Sequence, residues 1–222
     1  MNDKLIICFE TMKTHVDAAQ KTMGTDIPVT VLQEDFRADP KALASVAKDA
    51  VEHISKDIET ILFATAWCGG VLEGITLPAD CVFPDVQDTA SMLMITDDAR
   101  HWSKAEPYHM YFKDSDVKDR SVRAMLKDIQ AQFGTEPGLA VFGMMVEDFV
   151  SCDIIETGAY DCYDLDFVAD VEKSADLMRC PVNFIQGSNI IFEKLVSGRW
   201  DGQFVKKKKG EIVTFEDYTS EN

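Results

Sequence analysis

Two cysteines stand at the ends of apolar runs. Cys8 follows Leu5-Ile6-Ile7, and Cys68 follows Ile61 to Trp67 and precedes Gly69-Gly70. A third run, Cys81-Val82-Phe83, leads into Pro84-Asp85-Val86-Gln87-Asp88-Thr89. Thiolates are soft ligands and nucleophiles, and carboxylates are hard ligands or proton acceptors. Glycines after a strand let a backbone approach a ligand closely, and they open an anion-friendly helix start. In an open parallel sheet, ligands bind beyond the carboxyl ends of the strands, where the strand order reverses. With the order 2-1-3-4, strands one and three are neighbours about 4.8 Å apart, and Cys8 and Cys68 converge over one crevice. The set reads as a soft-metal site of Cys8, Cys68 and Asp88, or as a nucleophilic Cys68 whose pKa a helix N-terminus lowers. Trp67, Gly69 and Gly70 lie beside it. Core-filling cysteines, a tight glycine turn and a helix-capping Asp88 form the competing structural reading.

The elements that position these residues alternate. Strands are expected at Leu5–Phe9, Pro28–Leu32, Ile61–Ala66, Cys81–Phe83, Tyr108–Phe112, Leu139–Phe142, Asp153–Glu156 and Val182–Ile185. Helices are expected at Lys13–Met23, from Pro40, from Asp88, and at Arg120–Phe133, Leu165–Met178 and Asn189–Val196, with a hairpin at Phe204–Phe215. This pattern predicts an α/β fold, a mostly parallel sheet with helices on both faces. Residues 1–222 read as a single α/β domain. The polar stretch from His101 to Asp119 allows two Rossmann-like lobes with a cleft, 1–105 and 106–222. Met92, Met94, Met144 and Met145 read as core filling, and the four histidines as exposed or capping groups.

Composition narrows the function. The 222 residues carry 22 Lys+Arg against 39 Asp+Glu, a net charge of −17. An acidic surface excludes nucleic acid and anionic membrane as partners. The one basic run, Lys206 to Lys209 beside Gly210, reads as a solvated hairpin tip. No apolar stretch reaches the roughly 20 residues of a membrane span, and no signal peptide is evident, so the expected location is cytoplasmic and the six cysteines are expected as free thiols or ligands. There is no GxGxxG, no P-loop, no GxSxG elbow and no HExxH helix. Val71 stands where a CxxC would need its second cysteine. The acids Asp161, Asp164 and Asp166 do not match an EF-hand and read as an acidic helix start. Trp200, after the helix stop at Gly198, reads as an aromatic lid on the core or as a cover over a planar cofactor.

Several segments together resemble the uncharacterised DUF1638 family: Leu5 to Cys8, the strand into Cys68-Gly69-Gly70, the strand into Pro84-Asp85-Val86-Gln87-Asp88, and Leu195-Val196-Ser197-Gly198-Arg199-Trp200-Asp201. In the family pattern the first strand ends in Cys-Gly, the third runs into Cys-Gly-Asn-Gly, the fourth loop reads His-Asp-Cys, and a Gly-x-Trp-Asp lies near the C-terminus. The chain keeps Cys8, Cys68, Gly69, Asp88, Gly198, Trp200 and Asp201. Phe9, Gly70, Gln87 and Thr89 replace the glycine, asparagine, histidine and cysteine of the pattern, which weakens a full metal site. The resemblance implies an accessory role near corrinoid-dependent methyltransferases, with a metal ion or a corrinoid as cofactor and a corrinoid protein or methyltransferase as partner. On that reading Trp67, Gly69, Gly70, Trp200 and Asp201 contact the cofactor. A thiol-dependent transferase using Cys68 and a non-catalytic interaction protein are the alternatives.

Overall fold

The computed structural model describes residues 3–33, 40–114 and 122–219. The chain divides into two compact units, residues 1–104 with 188–222, and residues 105–187. The polar stretch after Trp102 thus marks one boundary, and the last 35 residues belong to the first unit. The expected helix start at Arg120 lies outside the described residues.

The first unit is built on a five-stranded sheet of order β2-β1-β3-β4-β8, from β1 (Lys4–Phe9), β2 (Val29–Leu32), β3 (Thr60–Phe63), β4 (Asp80–Pro84) and β8 (Phe204–Lys207). The first four strands are parallel, and β8 runs antiparallel along β4. Alternation along the strands sends Ile7, Phe9, Ile61, Phe63, Cys81 and Phe83 to one face, where they pack with Ala47 and Val51 of α2 (Pro40–Glu52) and with Val213 and Tyr218. Ile6, Cys8, Leu62 and Val82 point to the other face. There α1 (Lys13–Met23) packs against α7 (Ile190–Ser197), which also contacts β4. The His15 ring is fully buried and stacks on Phe192 at 5.5 Å, so this histidine belongs to the core rather than to the surface.

Phe204–Phe215 is not a hairpin. Only its first arm, β8, joins the sheet. The chain turns at Gly210, and the second arm pairs with the 74–77 segment through Leu77 N–H to Glu211 O (3.0 Å) and Val213 N–H to Ile75 O (3.1 Å). β4 and the 74–77 segment offer open edges, and these long-range pairings replace the local one. The lysine run is part of this construction: Lys207 Nζ bonds to Asp217 (2.7 Å) and Lys208 Nζ to Asp80 (2.6 Å).

The second unit holds a three-stranded parallel sheet of order β5-β6-β7, from β5 (His109–Phe112), β6 (Ser151–Glu156) and β7 (Val182–Gln186). Its core takes side chains from α4 (Val122–Phe133), α5 (Thr135–Val146) and α6 (Leu165–Met178). The segment Leu139–Phe142, expected as a strand, lies inside α5. That helix is apolar on nearly every side, so its helical period is masked, yet only Gly138, Phe142 and Val146 are buried. This spacing of four is a helix face. Met144 and Met145 are therefore exposed at 65 % and 55 %, while Met92 and Met94 fill the core as expected.

Gly138 is where α5 crosses α4. A Cβ there would meet Gln130 Cα at 2.7 Å, and Gln130 Cα is backbone that cannot swing aside. Gly138→Ala should therefore cost about 1–3 kcal/mol through overpacking, read as a lower midpoint in thermal unfolding. A neutral or stabilising result would show that the two helices slide apart freely.

Among the described residues no helix is long and apolar enough to cross a membrane.

Candidate functional site

The carboxyl edge of the first sheet is closed by two loops bonded to each other. Trp67 N–H donates to Val86 O (2.8 Å) and Cys68 N–H to Gln87 O (2.9 Å). The stretch leaving β3 then takes three successive left-handed residues: Cys68, Gly69 and Gly70, with φ of 45°, 74° and 94°. Glycine adopts this region freely, whereas cysteine does so only when its surroundings hold it. At Gly70 a side chain would also meet the Trp67 ring at 3.2 Å. Residues 68–74 form turns and no helix starts after Gly70, contrary to expectation. The helical residue nearest the thiol is Thr89, whose Oγ1 lies 3.6 Å from Cys68 Sγ.

Asp88 caps the short helix α3 (Thr89–Leu93). Its Oδ1 accepts Ser91 N–H at 2.8 Å and its Oδ2 accepts the Ser91 hydroxyl at 2.9 Å. Both oxygens are thus engaged by the protein. Cys8 points to the α1 side of the sheet, and Cys68 packs with the α2-side core, so the sheet separates the two sulfurs. Cys8 is 1 % exposed, and burial pushes its thiol up to about 12. Cys81 is buried and shifted the same way. Of the three cysteines of this unit, only Cys68 is not buried. Among the described residues no group of three or more His, Cys, Asp or Glu side chains is placed to hold a metal.

Trp67 turns its ring inward. It meets Tyr218 edge-on at a centroid distance of 4.8 Å and tilts against Phe215 at 5.2 Å. Trp200 lies elsewhere: its Nε1–H donates to Leu195 O (2.9 Å), and Lys4 Nζ sits 5.4 Å over its ring. Lys4 opens β1, and the Cys68 loop lies at the opposite end of the parallel strands, so the structure does not bring Trp200 to Cys68. Asp201 pairs with Lys194 Nζ at 2.7 Å. Burial alone would raise its carboxyl, but the Lys194 ammonium and the Gln203 N–H outweigh that and hold it below the usual carboxylate range.

Three features escaped the sequence reading. Tyr218 is fully buried and joins Phe83, Trp67 and Trp102 in an aromatic cluster. Arg100 binds this region together, with Nε 2.5 Å from Asp85 Oδ2 and a terminal N–H donating to Tyr218 O at 2.7 Å. Asp85 is raised by burial, against the lowering influence of Arg100. A cavity of about 530 Å³ opens beside Asp85 and Arg100 and runs along β8. On its wall Arg100 pairs with Asp85 and Lys207 with Asp217. Asp85 Oδ1 and Tyr218 Oη are buried without a hydrogen-bond partner among the described residues. In the second unit, His109 Nδ1 lies 2.6 Å from Asp153 Oδ2, and Asp153 is 2 % exposed. His109 is therefore a partnered histidine inside a polar cluster and not a plain surface group. The acidic stretch behaves as expected, with Asp164 capping α6 through Phe167 N–H (2.9 Å).

Searches against curated proteins and against solved structures return no match. A family model does match, over residues 31–196, which takes in the Cys68 loop, the Asp85–Asp88 loop, β3 and β4 of the first sheet and all of the second. The chain belongs to the DUF1638 family of proteins of unknown function.

Proposed function

We propose that the protein is a cofactor-binding accessory protein in which Cys68 ligates a metal already held by a macrocycle. The observation that carries this reading is a single thiol at the carboxyl edge of the sheet. It is the unburied cysteine of its unit, held at φ 45° on a loop tied to its neighbour by two backbone hydrogen bonds. A bare ion needs three or four protein donors, and among the described residues no such donor set gathers around Cys68. A macrocyclic metal brings its own equatorial donors and asks the protein for one. The family resemblance favours a corrinoid, whose cobalt carries methyl groups between methyltransferase components. Thr89 Oγ1 orients the sulfur, and Trp67, anchored on Tyr218, fixes the backbone beneath it. Asp88 acts as the cap that sets the facing loop. Trp200 and Asp201 serve the packing of α7 in this reading.

The test is an anaerobic titration with aquocobalamin, followed in the visible absorption of the macrocycle. The wild-type chain should shift the band at one equivalent. Cys68→Ser should abolish the shift with its thermal midpoint unchanged, and Cys180→Ser should retain it. An unshifted wild-type titration, or an undiminished shift in Cys68→Ser, would overturn the proposal.

A further inference from the structure

Three sulfur atoms meet in the second unit, far along the chain from the loops above. Helix α6 ends at Met178. Arg179 takes a left-handed φ of 58° and turns the chain back through Cys180 and Pro181 into β7. Strand β6 lies alongside, and Cys152 N–H donates to Pro181 O at 2.9 Å. The turn therefore places Cys180 next to Cys152. The Cys152 thiol donates to Met178 Sδ at 3.9 Å, and Cys180 packs against the buried cluster that holds both. The Cys180 thiol also reaches Met178 O at 3.5 Å. Cys152 is fully buried and Met178 is 4 % exposed, whereas Cys180 is half-buried and gives solvent access.

We propose that Cys152, Met178 and Cys180 form a trigonal site for a soft monovalent cation, copper(I) or its analogue silver(I). Two thiolates and one thioether are the donors such ions prefer over harder divalent metals. The spacing fits. Three sulfurs around one metal at about 2.3 Å stand about 4.0 Å from each other, and the Cys152–Met178 separation is 3.9 Å. Zinc finds no closed set here, since no group of three or more His, Cys, Asp or Glu converges among the described residues. Asp153, the next residue on β6, is engaged by His109 and Ser151 and stays outside the site. Loading exchanges two thiol protons for one cation, 2 RSH + M⁺ giving the anion [M(SR)₂]⁻ with the thioether as third ligand and 2 H⁺ released. Because loading releases two protons, affinity increases with pH.

The probe is copper(I), titrated without oxygen against the coloured chelator bathocuproine disulfonate, whose bleaching counts the copper withdrawn. Wild type and Cys68→Ser should each withdraw one equivalent, which separates this site from the Cys68 loop. Cys180→Ser should withdraw none at the same chelator concentration. Met178→Leu conserves volume and keeps the fold, and its affinity should fall by at least the roughly 10–100-fold that loss of a supporting group costs a metal site. Circular dichroism checks that the variants remain folded. Zinc offered under the same conditions should not displace the copper. The proposal fails if the wild type leaves the chelator fully loaded, if Met178→Leu and Cys180→Ser withdraw as much as the wild type, or if Cys68→Ser alone loses the metal.

Discussion

Lys194→Ala lowers the stability of the first unit by about 3–4 kcal/mol. Lys194 is 1 % exposed, yet it sits in the last turns of α7 with its ammonium held on three sides. Nζ lies 2.8 Å from Asp98 Oδ1 and 2.7 Å from Asp201 Oδ2, and it donates to Gln203 Oε1. The three donors of an ammonium are thereby filled. Gln203 is itself buried, and its Nε2 donates to Asp97 O (3.0 Å) and Ala99 O (2.6 Å). One lysine thus joins α7, the 97–99 loop and the turn leading into β8. Truncation removes the buried methylenes, at about 0.8 kcal/mol each, and leaves Gln203 Oε1 without a donor, at about 1–3 kcal/mol. Asp98 keeps Arg199 and is largely exposed, and Asp201 keeps the Gln203 N–H, so neither carboxylate is stranded in a dry interior. Lys194→Met retains most of the stem and should lose about half as much. The three tryptophans, Trp67, Trp102 and Trp200, all lie in this unit, so urea unfolding followed by tryptophan fluorescence reports on it selectively. A loss below about 1 kcal/mol in Lys194→Ala would show that the network is ornamental.

The reach of the sequence follows the reach of its local signals. Helix α1 spans Lys13–Met23 as expected because the left-handed Gly24 ends it. Helix α6 begins at Leu165 because Asp164 caps it. The parallel pairing of β1 to β4 follows from the alternation of strands with helices. Each of these depends on residues a few positions apart. Helix α5 was illegible for the opposite reason. It is apolar on both its buried and its exposed sides, so Leu139–Phe142 carries no period that separates strand from helix. Strand β8 was given the wrong partner because the right one, β4, lies more than a hundred residues earlier.

The candidate site divides in the same way. A cysteine followed by two glycines announces a special turn, and Cys68–Gly70 is one. The separation of Cys8 from Cys68 turns on the face each side chain takes, and a strand end one residue earlier reverses it. Lys194, Tyr218 and the sulfurs of Cys152, Met178 and Cys180 acquire meaning only through pairings between distant segments. A lysine in an amphipathic helix and a tyrosine near a chain end are ordinary in sequence. Their burial is what makes them consequential.

Tyr218→Ala should cost about 3–5 kcal/mol, the price of emptying an aromatic site in a packed core, while Tyr218→Phe should be neutral or slightly stabilising. The ring is surrounded by Trp67 at 4.8 Å, Phe83 at 5.0 Å and Trp102 at 6.0 Å. It lies on α8 (Glu216–Thr219), whose carbonyl at position 218 accepts from Arg100. The final segment therefore closes the α2 side of the sheet, and losing the ring opens a cavity beside three aromatic neighbours. The hydroxyl contributes differently. It is buried, its ionisation is pushed well above the ordinary tyrosine value by that burial, and it has no hydrogen-bond partner among the described residues. An unsatisfied buried hydroxyl costs about 1–3 kcal/mol, so exchanging it for hydrogen relieves a penalty. Because Trp67 rests on Tyr218 and carries the backbone of Cys68, Tyr218→Ala should also weaken the cobalamin response, and Tyr218→Phe should leave it intact. If Tyr218→Phe instead loses more than about 1 kcal/mol, the hydroxyl is engaged in solution, with a ligand or ordered water of the Asp85 cavity as its partner.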